Sequence, residues 1–208
     1  NLSYMVSMAW TKGFYIKPRI DLELLREHSG GLVALSACLA GEIPRRLRNG
    51  EYENAKRYAL ELAEIFGPDH FYLELQDHGI RDQAVVNQGI LRMHRETGLP
   101  MVCTNDAHYL RKEDAEAHDV LLCIQTGKTL DDENRMRYEP RNFYLRSEAE
   151  MAERFSDYEG ALENTVKIAE LCGMDFTFGK YHLPEFQLPP GYDSFSYLKE
   201  LCDQGYRD

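Results

Sequence analysis

The sequence lacks any long hydrophobic run. Its 208 residues contain no stretch of 18 apolar residues, and no basic segment followed by an apolar core marks an export signal. These absences exclude a membrane-spanning helix and a recognisable secretory signal, so the sequence predicts a cytoplasmic protein with no membrane partner. The chain begins at Asn1 instead of Met, inside an amphipathic pattern, and we therefore expect it to be a portion of a longer protein.

Closely spaced cysteines are also absent. The five cysteines are odd in number and include no C-x-x-C pair, so neither a disulfide framework nor a zinc finger is expected. They lie in apolar runs such as ALSAC and VLLCIQ, a pattern typical of reduced, buried thiols. Phosphate-loop, nucleophile-elbow, H-E-x-x-H and dinucleotide-binding motifs are missing as well, and these enzyme classes are not indicated.

An excess of basic residues is the third feature that the sequence lacks. Its net charge is -11 and its pI is about 5.1, so the average surface repels phosphate. A basic protein that binds nucleic acid without specificity is therefore excluded, whereas a local basic patch is not. Lys17, Arg19 and Arg45 are candidate phosphate contacts, although a solvated basic face is the default interpretation of such residues.

Three short apolar runs alternate with two amphipathic helical patterns. We predict strands at residues 31–37, 71–76 and 100–105, and helices at about 52–66 and 82–97. Strands separated by helices at this spacing form β–α–β units. The first part of the chain is therefore predicted to be an α/β fold built on a parallel sheet or barrel.

Helical patterns dominate after Asp106. They cover residues 113–125, 147–155, 159–171 and 194–206. Ser147 and Glu150 form a capping box at the start of the second of these helices, and a proline-rich segment at 180–191 is typical of a linker. We therefore divide the chain into an α/β part (1–112), a helical continuation (113–179) and a linker with a new helix (180–208).

Candidate functional residues follow the predicted strands, because parallel strands gather their carboxyl ends at one edge. Cys38 follows the first strand, and Asp106 and His108 follow the third as a D-x-H pair on one side of the chain. Thiolate, carboxylate and imidazole groups suit a divalent ion such as Zn²⁺ or Mn²⁺. The residues alone nevertheless favour structural roles, namely a buried strand end for Cys38, a helix cap for Asp106 and a surface position for His108.

Two other histidines have structural interpretations. The segment around His78, Asp77 to Gly79, indicates a turn, with a metal or phosphate contact as the alternative. His118 lies beside apolar residues of a predicted helix, which favours a packed side chain over a ligand.

Five strings of the sequence, taken together, resemble one protein family. They are GFYIKPRID, GLVALSACLAGEIPRRL, FYLELQDHGI, VCTNDAHYLRKEDAEAHDVLLCIQTGKTLDDENRMRY and FYLRSEAEM. The strings are similar, in order and across residues 1–208, to the polymerase-and-histidinol-phosphatase (PHP) domain of bacterial replicative DNA polymerase III alpha subunits. The resemblance implies a distorted (β/α)7 barrel, of which this chain carries the last strands and a helical segment, with 180–208 leading to the polymerase core.

The same resemblance implies roles for the candidate site. Cys38 matches the family's cysteine ligand, and Asp106 and His108 match its final D-x-H ligand pair. The remaining ligands, including an H-x-H pair, belong to earlier strands that this chain does not contain. A PHP site with Zn²⁺ or Mn²⁺ is then expected to act by metal-assisted hydrolysis as a 3′–5′ exonuclease. No residue of this chain catalyses polymerisation, because the palm aspartates and their Mg²⁺ lie outside it.

The implied protein is a nucleotidyltransferase of DNA replication, whose partners are DNA, dNTPs and replicase subunits such as the sliding clamp. Two alternatives stay open: a stand-alone PHP phosphoesterase acting on an ester such as histidinol phosphate, and a metal-poor PHP module with a structural role. A stand-alone enzyme is expected to end soon after its last barrel strand, whereas residues 109–208 continue to match the polymerase. Half a barrel exposes sheet edges, so we also expect poor solubility or oligomerisation.

Overall fold

The chain divides into two compact units, Asn1–Gly173 and Met174–Asp208. The computed structural model describes residues 1–173, 175–181 and 183–207. All three strands lie in the first unit, and the second contains one described helix. The three-part division at residues 112 and 179 stays a prediction.

A small parallel sheet forms the centre of the first unit. Its strands are β1 (Ala34–Leu35), β2 (Phe71–Leu75) and β3 (Met101–Cys103), which lie in the order β1-β2-β3. Ala34 is opposite Phe71, and Leu73 is opposite Met101. The predicted α/β fold and parallel sheet are confirmed, although each strand is shorter than its apolar run.

Nine helices occur in the part of the chain that the structure describes. They are α1 (Leu2–Thr11), α2 (Leu22–His28), α3 (Glu42–Arg48), α4 (Tyr52–Phe66), α5 (Arg81–Thr97), α6 (Ala115–Thr126), α7 (Glu148–Phe155), α8 (Glu163–Leu171) and α9 (Ser194–Gly205). A single 3-10 turn, Lys112–Asp114, precedes α6. None of the described helices is both long and apolar enough to cross a lipid bilayer.

One predicted helix begins later than its pattern indicates. The pattern starts at residue 159, whereas α8 starts at Glu163. Gly160 has a φ of 75°, which is incompatible with a right-handed helix, and the carbonyl of Ala161 accepts a hydrogen bond from Cys103 N–H. Pairing with β3 therefore replaces the first turn of the predicted helix.

The core lies between the sheet and helices α3, α4 and α5. β2 is buried on both faces, as expected of a central strand in a parallel sheet. Fully buried Ala55 and Ala59 allow α4 to approach the sheet closely, and Gly89 on α5 leaves room for the side chain of Leu47. Burial of each large apolar side chain contributes about 2 kcal/mol, so this cluster holds the strand ends in place.

The two edges of the sheet differ. At β3, the N–H of Cys103 donates to Ala161 O at 3.1 Å, and the Asn164 side chain donates to Met101 O at 2.7 Å. These bonds satisfy backbone groups that an edge strand otherwise leaves exposed. Among the described residues, no strand pairs with the outer edge of β1.

Candidate functional site

A cavity of about 400 Å³ lies at the carboxyl ends of the three strands. Cys38 from the β1 end, Gln76 from the β2 end, and Asp106 and His108 from the β3 end all line it. The structure therefore brings the three candidate ligands to one concave surface, as expected for the carboxyl edge of a parallel sheet. Residues 136–139 and Phe143 also line the cavity.

Asp106 and His108 form a close pair on the cavity wall. The imidazole Nε2 of His108 lies 3.5 Å from Oδ1 of Asp106, and both side chains are about one-third exposed. The expectation that Asp106 caps a helix is wrong, because the next helical turn starts only at Lys112 and has Arg111 as its N-cap. The His108 ring packs against Tyr138 and Phe143, with centroids 4.5 and 5.6 Å away.

The turn that carries this pair has a strained backbone. Asp106 has a φ of 42°, which is uncommon for a residue with a side chain, although aspartate tolerates it better than most. Such a conformation costs about 1–3 kcal/mol and persists only where the surroundings hold it. A buried hydrogen-bond network supplies that support.

His78 forms one half of the network. Its side chain is fully buried, and the Gln83 amide donates to Nδ1 at 2.8 Å, so Nε2 carries the proton and donates to Asn105 O at 2.7 Å. Burial lowers the pKa of His78, which keeps the ring neutral. The ring also stacks on Phe143 at 4.3 Å.

Asn105 and Arg146 form the other half. The side-chain nitrogen of Asn105 donates to Tyr144 O at 2.6 Å, and the side-chain oxygen Oδ1 of Asn105 accepts from Arg146 Nη1 at 3.1 Å. Arg146 also donates through Nη2 to Asn142 O at 3.1 Å and is almost completely buried. Because Asn105 directly precedes Asp106, the network fixes the position from which Asp106 and His108 project.

The turn predicted around His78 is confirmed. Gly79 has a φ of 81°, and its N–H donates to the Asp77 carboxylate at 2.9 Å. Since both ring nitrogens of His78 are occupied by protein partners, this histidine supports the site and does not line it. His118 packs between Tyr109 and Tyr138, as predicted for a structural histidine.

The turn that carries Cys38 is stabilised in a different way from the turn that carries Asp106. The Gly41 N–H donates to Cys38 O at 2.8 Å, which closes a turn before α3, and Ala37 has a φ of 67°. A Cβ at Gly41 would lie 2.7 Å from Ser36 O, so the chain needs glycine for this close approach. The Ser36 hydroxyl accepts from Glu74 N–H at 2.8 Å and ties the turn to β2.

Gln76 is a cavity residue to which the sequence assigns no role. It is only 7% exposed, and its amide nitrogen lies 3.0 Å from a Glu74 carboxylate oxygen and 3.2 Å from the Thr104 hydroxyl. Its carbonyl oxygen is buried without a hydrogen-bond partner in the described structure. The sequence signal that identifies Gln76 is its position directly after the buried strand β2.

The side chains at the cavity provide only some of the ligands that a divalent metal needs. Thiol, carboxylate and imidazole side chains are the ligands that Zn²⁺ prefers. Among the described residues, however, no three Cys, His, Asp or Glu side chains converge closely enough to hold a metal ion. This chain therefore contributes an incomplete donor set.

The candidate phosphate contacts do not line the cavity. Arg45 is engaged by the Glu42 carboxylate at 2.8 Å, and this bond raises the pKa of Arg45. Lys17 and Arg19 lie in the exposed loop after α1. Phosphate binding by these three residues stays a prediction.

Comparison with known proteins shows what the chain is similar to. Residues 1–78 match the family model of the PHP domain. Over the full chain, the sequence is 44% identical to the DNA polymerase III subunit alpha of Borreliella burgdorferi. The resemblance is confirmed. The chain is also 45% identical over 99% of its length to the protein of the same name from Thermus aquaticus.

The PHP match contains Cys38, and the similarity to the polymerase subunits continues through Asp106 and His108 to the end of the chain. The Deinococcus radiodurans DNA polymerase III subunit alpha is 41% identical over 99% of the chain. The chain spans less than a fifth of these relatives, covering 18%, 17% and 16% of their respective lengths.

Proposed function

We propose that this chain is the PHP-region portion of a bacterial DNA polymerase III alpha subunit and acts in DNA replication. The observation that carries the proposal is similarity at 41–45% identity along essentially the whole chain to proteins of that name. The proposal includes a partial distorted (β/α)7 barrel in residues 1–112, a helical continuation in 113–179, and a linker to the polymerase core in 180–208. A cytoplasmic location is part of it.

Cys38, Asp106 and His108 are proposed to be ligands of a divalent metal, Zn²⁺ or Mn²⁺. Their positions around one cavity and the support given to the Asp106 turn favour this role. The donor set is incomplete here, so the remaining ligands are proposed to come from parts of the complete subunit outside this chain. Within this chain, the buried network holds the carboxylate and the imidazole toward the cavity.

The proposed activity of the region is 3′–5′ exonuclease cleavage of DNA. The complete subunit is proposed to synthesise DNA from dNTPs with Mg²⁺ at a core outside this chain, and to bind other replicase subunits, including the sliding clamp. The Arg146 and His78 network is a fixed scaffold for such a site, since Arg146, His78 and Gln83 are buried and form hydrogen bonds with one another, with Asn105 or with the backbone.

A structural PHP module without metal is the second candidate. The incomplete donor set of the described residues favours it, because metal binding then depends wholly on residues elsewhere. A stand-alone phosphoesterase is not favoured, since the relatives that match the whole chain are polymerase subunits.

The two candidates differ in an experiment on the complete subunit. We expect the double variant Asp106→Asn/His108→Asn to lose bound metal and 3′–5′ exonuclease activity and to retain DNA synthesis. The matched control is Asp69→Asn/His70→Asn, which changes the same residue types at the other end of β2. Wild-type metal content in the first variant would overturn the ligand assignment, and an exonuclease-free wild type would favour the structural module.

A further inference from the structure

The end of α1 and the loop that follows it expose an unusual set of aromatic rings. Trp10, Phe14 and Tyr15 are 59%, 54% and 68% exposed. The Trp10 and Phe14 rings stack, with centroids 5.5 Å apart and planes inclined by 18°. Large apolar side chains grouped in this way on a surface mark an interaction site.

The loop has a defined shape. Tyr15 and Lys17 form a β-bridge, with Lys17 N–H donating to Tyr15 O at 2.7 Å. A Cβ on Gly13 would lie 2.0 Å from Arg19 O, so the two ends of the loop are in close contact. Ile16, at its tip, has a φ of 65°, a rare conformation for a β-branched residue, and is 76% exposed. The rings are therefore presented on a tightly folded backbone.

Positive charge surrounds these rings. Lys12, Lys17 and Arg19 are exposed, and residues 1–20 contain no acidic side chain, although the whole chain has a net charge of -11. The guanidinium carbon of Arg19 lies 5.4 Å from the Tyr15 ring centroid. None of the three cations takes part in an ion pair in the described part of the chain. They are therefore available to an anionic ligand.

We propose that this aromatic–basic surface (Trp10, Lys12, Phe14, Tyr15, Lys17 and Arg19) binds single-stranded nucleic acid. Bases stack on exposed aromatic rings, and lysine and arginine contact the phosphates between them. A double strand hides its base faces within its own stack and cannot use the rings. An uncharged apolar partner would remove three cations from water without compensation.

The inference goes beyond the proposed function, because none of the six residues lines the cavity. Loss of the metal ligands leaves this surface intact, and loss of the surface leaves the cavity intact. The two ideas therefore fail independently.

The salt dependence of binding follows from the three cations. For three phosphate contacts on a single strand, the affinity of the surface for that strand is expected to fall about twentyfold between about 50 and 200 mM salt.

Trp10 is the only tryptophan of the chain, so its fluorescence reports binding directly. In a titration of the complete subunit, with any tryptophan outside this chain replaced by phenylalanine, an oligothymidylate is expected to give saturable quenching with the salt dependence given above. A duplex of the same length is expected to bind at least tenfold more weakly. Far-UV circular dichroism of each variant establishes that it is folded.

Two variants separate charge from stacking. Lys12→Gln/Lys17→Gln/Arg19→Gln is expected to weaken binding at least tenfold, whereas the control Lys112→Gln/Lys128→Gln/Lys167→Gln removes the same charge at other exposed positions and retains most of the affinity. Phe14→Leu keeps the charge and is expected to weaken binding about fivefold through loss of stacking.

Photocrosslinking adds a second test on the complete subunit. A single strand carrying bromouracil is expected to attach to peptides containing Trp10, Phe14 or Tyr15, as identified by mass spectrometry. The proposal is overturned if quenching is absent, if both triple variants weaken binding equally, or if the crosslinks omit these peptides. Trp10 quenching that depends on protein concentration and not on DNA would instead assign the surface to a second copy of the chain.

Discussion

The β1 and β3 ends of the sheet form two walls of one cavity, yet they are stabilised in different ways. Each wall contains a strained non-glycine residue beside a candidate ligand: Ala37 precedes Cys38, and Asp106 is itself a candidate. At β3 the strain is supported by buried side chains from distant parts of the sequence. At β1 the strained turn fits because Gly41 has no side chain to collide with Ser36 O, and the Ser36 hydroxyl binds the turn to β2.

This difference shows that a functional turn can depend on long-range polar contacts or on local backbone fit. Arg146 and Asn105 are 41 residues apart, so the β3 wall forms only when the chain after α6 has folded against it. The β1 wall is made almost entirely by residues 36–41 and two hydrogen bonds between Ser36 and β2. Substitutions far from the cavity are therefore expected to disturb the β3 wall selectively.

The largest expected effect follows from His78→Ala. The change removes a fully buried ring and two hydrogen bonds, leaving the Gln83 amide N–H and the Asn105 backbone carbonyl without their partner. We expect the free energy of unfolding, measured by urea titration, to fall by about 4 kcal/mol. His118→Ala, at a partly exposed position, is the control and is expected to cost about 1 kcal/mol. Equal losses in the two variants would contradict the role given to the buried network.

A substitution at the other wall has a smaller expected effect. In Gly41→Ala, the new Cβ meets Ser36 O at 2.7 Å and forces the turn to shift, at a cost of about 2 kcal/mol in the free energy of unfolding. Gly30→Ala is the matched control, because its nearest new neighbour lies at 3.8 Å. A Gly41→Ala variant as stable as the control would contradict the role of Gly41 in the β1 wall.

Acid is expected to act on the β3 wall through His78. Burial lowers the pKa of His78 below its ordinary value of about 6.5, so the unfolded state binds the proton more readily. Neutral His78 therefore contributes fully to the free energy of unfolding above that ordinary value. This contribution declines as the pH falls toward the lowered pKa. The free energy of unfolding falls by at most about 1.4 kcal/mol per pH unit through this one group.

Hydrogen exchange measures this effect locally. Between pH 7 and pH 5.5, after correction for intrinsic exchange rates, protection of residues 104–109 is expected to decrease more than that of residues 36–41. The same decrease at both walls would show that acid acts on the whole fold and not through His78.

The smallest expected effect leaves stability unchanged and compares one cysteine from each wall. Cys103 ends β3 and is buried, which raises its pKa to about 11, whereas Cys38 is partly exposed in the cavity. At pH 8, iodoacetamide is expected to modify Cys38 at least tenfold faster, because so little of Cys103 is thiolate. Mass spectrometry of the alkylated peptides gives the two rates, and comparable rates would contradict the burial of the β3 end.

Periodic and local signals predicted much of this fold. The bounds of α4 and the capping box of Ser147 and Glu150 at α7 agree with the sequence, since both depend on residues three to four positions apart. The start of α8 was wrong because Ala161 pairs with β3, a contact made across more than fifty residues. Gln76 contacts Thr104 and Arg146 contacts Asn105 across 28 and 41 residues, and periodicity does not indicate such contacts.

Cys38, together with Asp106 and His108, is proposed to bind a divalent metal in the complete subunit. Cobalt substitution tests it directly, because a thiolate bound to Co²⁺ gives a charge-transfer absorption band in the near ultraviolet. We expect the band in the wild-type subunit and in the control Cys172→Ser, whose cysteine is exposed and does not line the cavity, and we expect Cys38→Ser to lose it. A band that persists unchanged in Cys38→Ser, or is absent from the wild type, would contradict the claim.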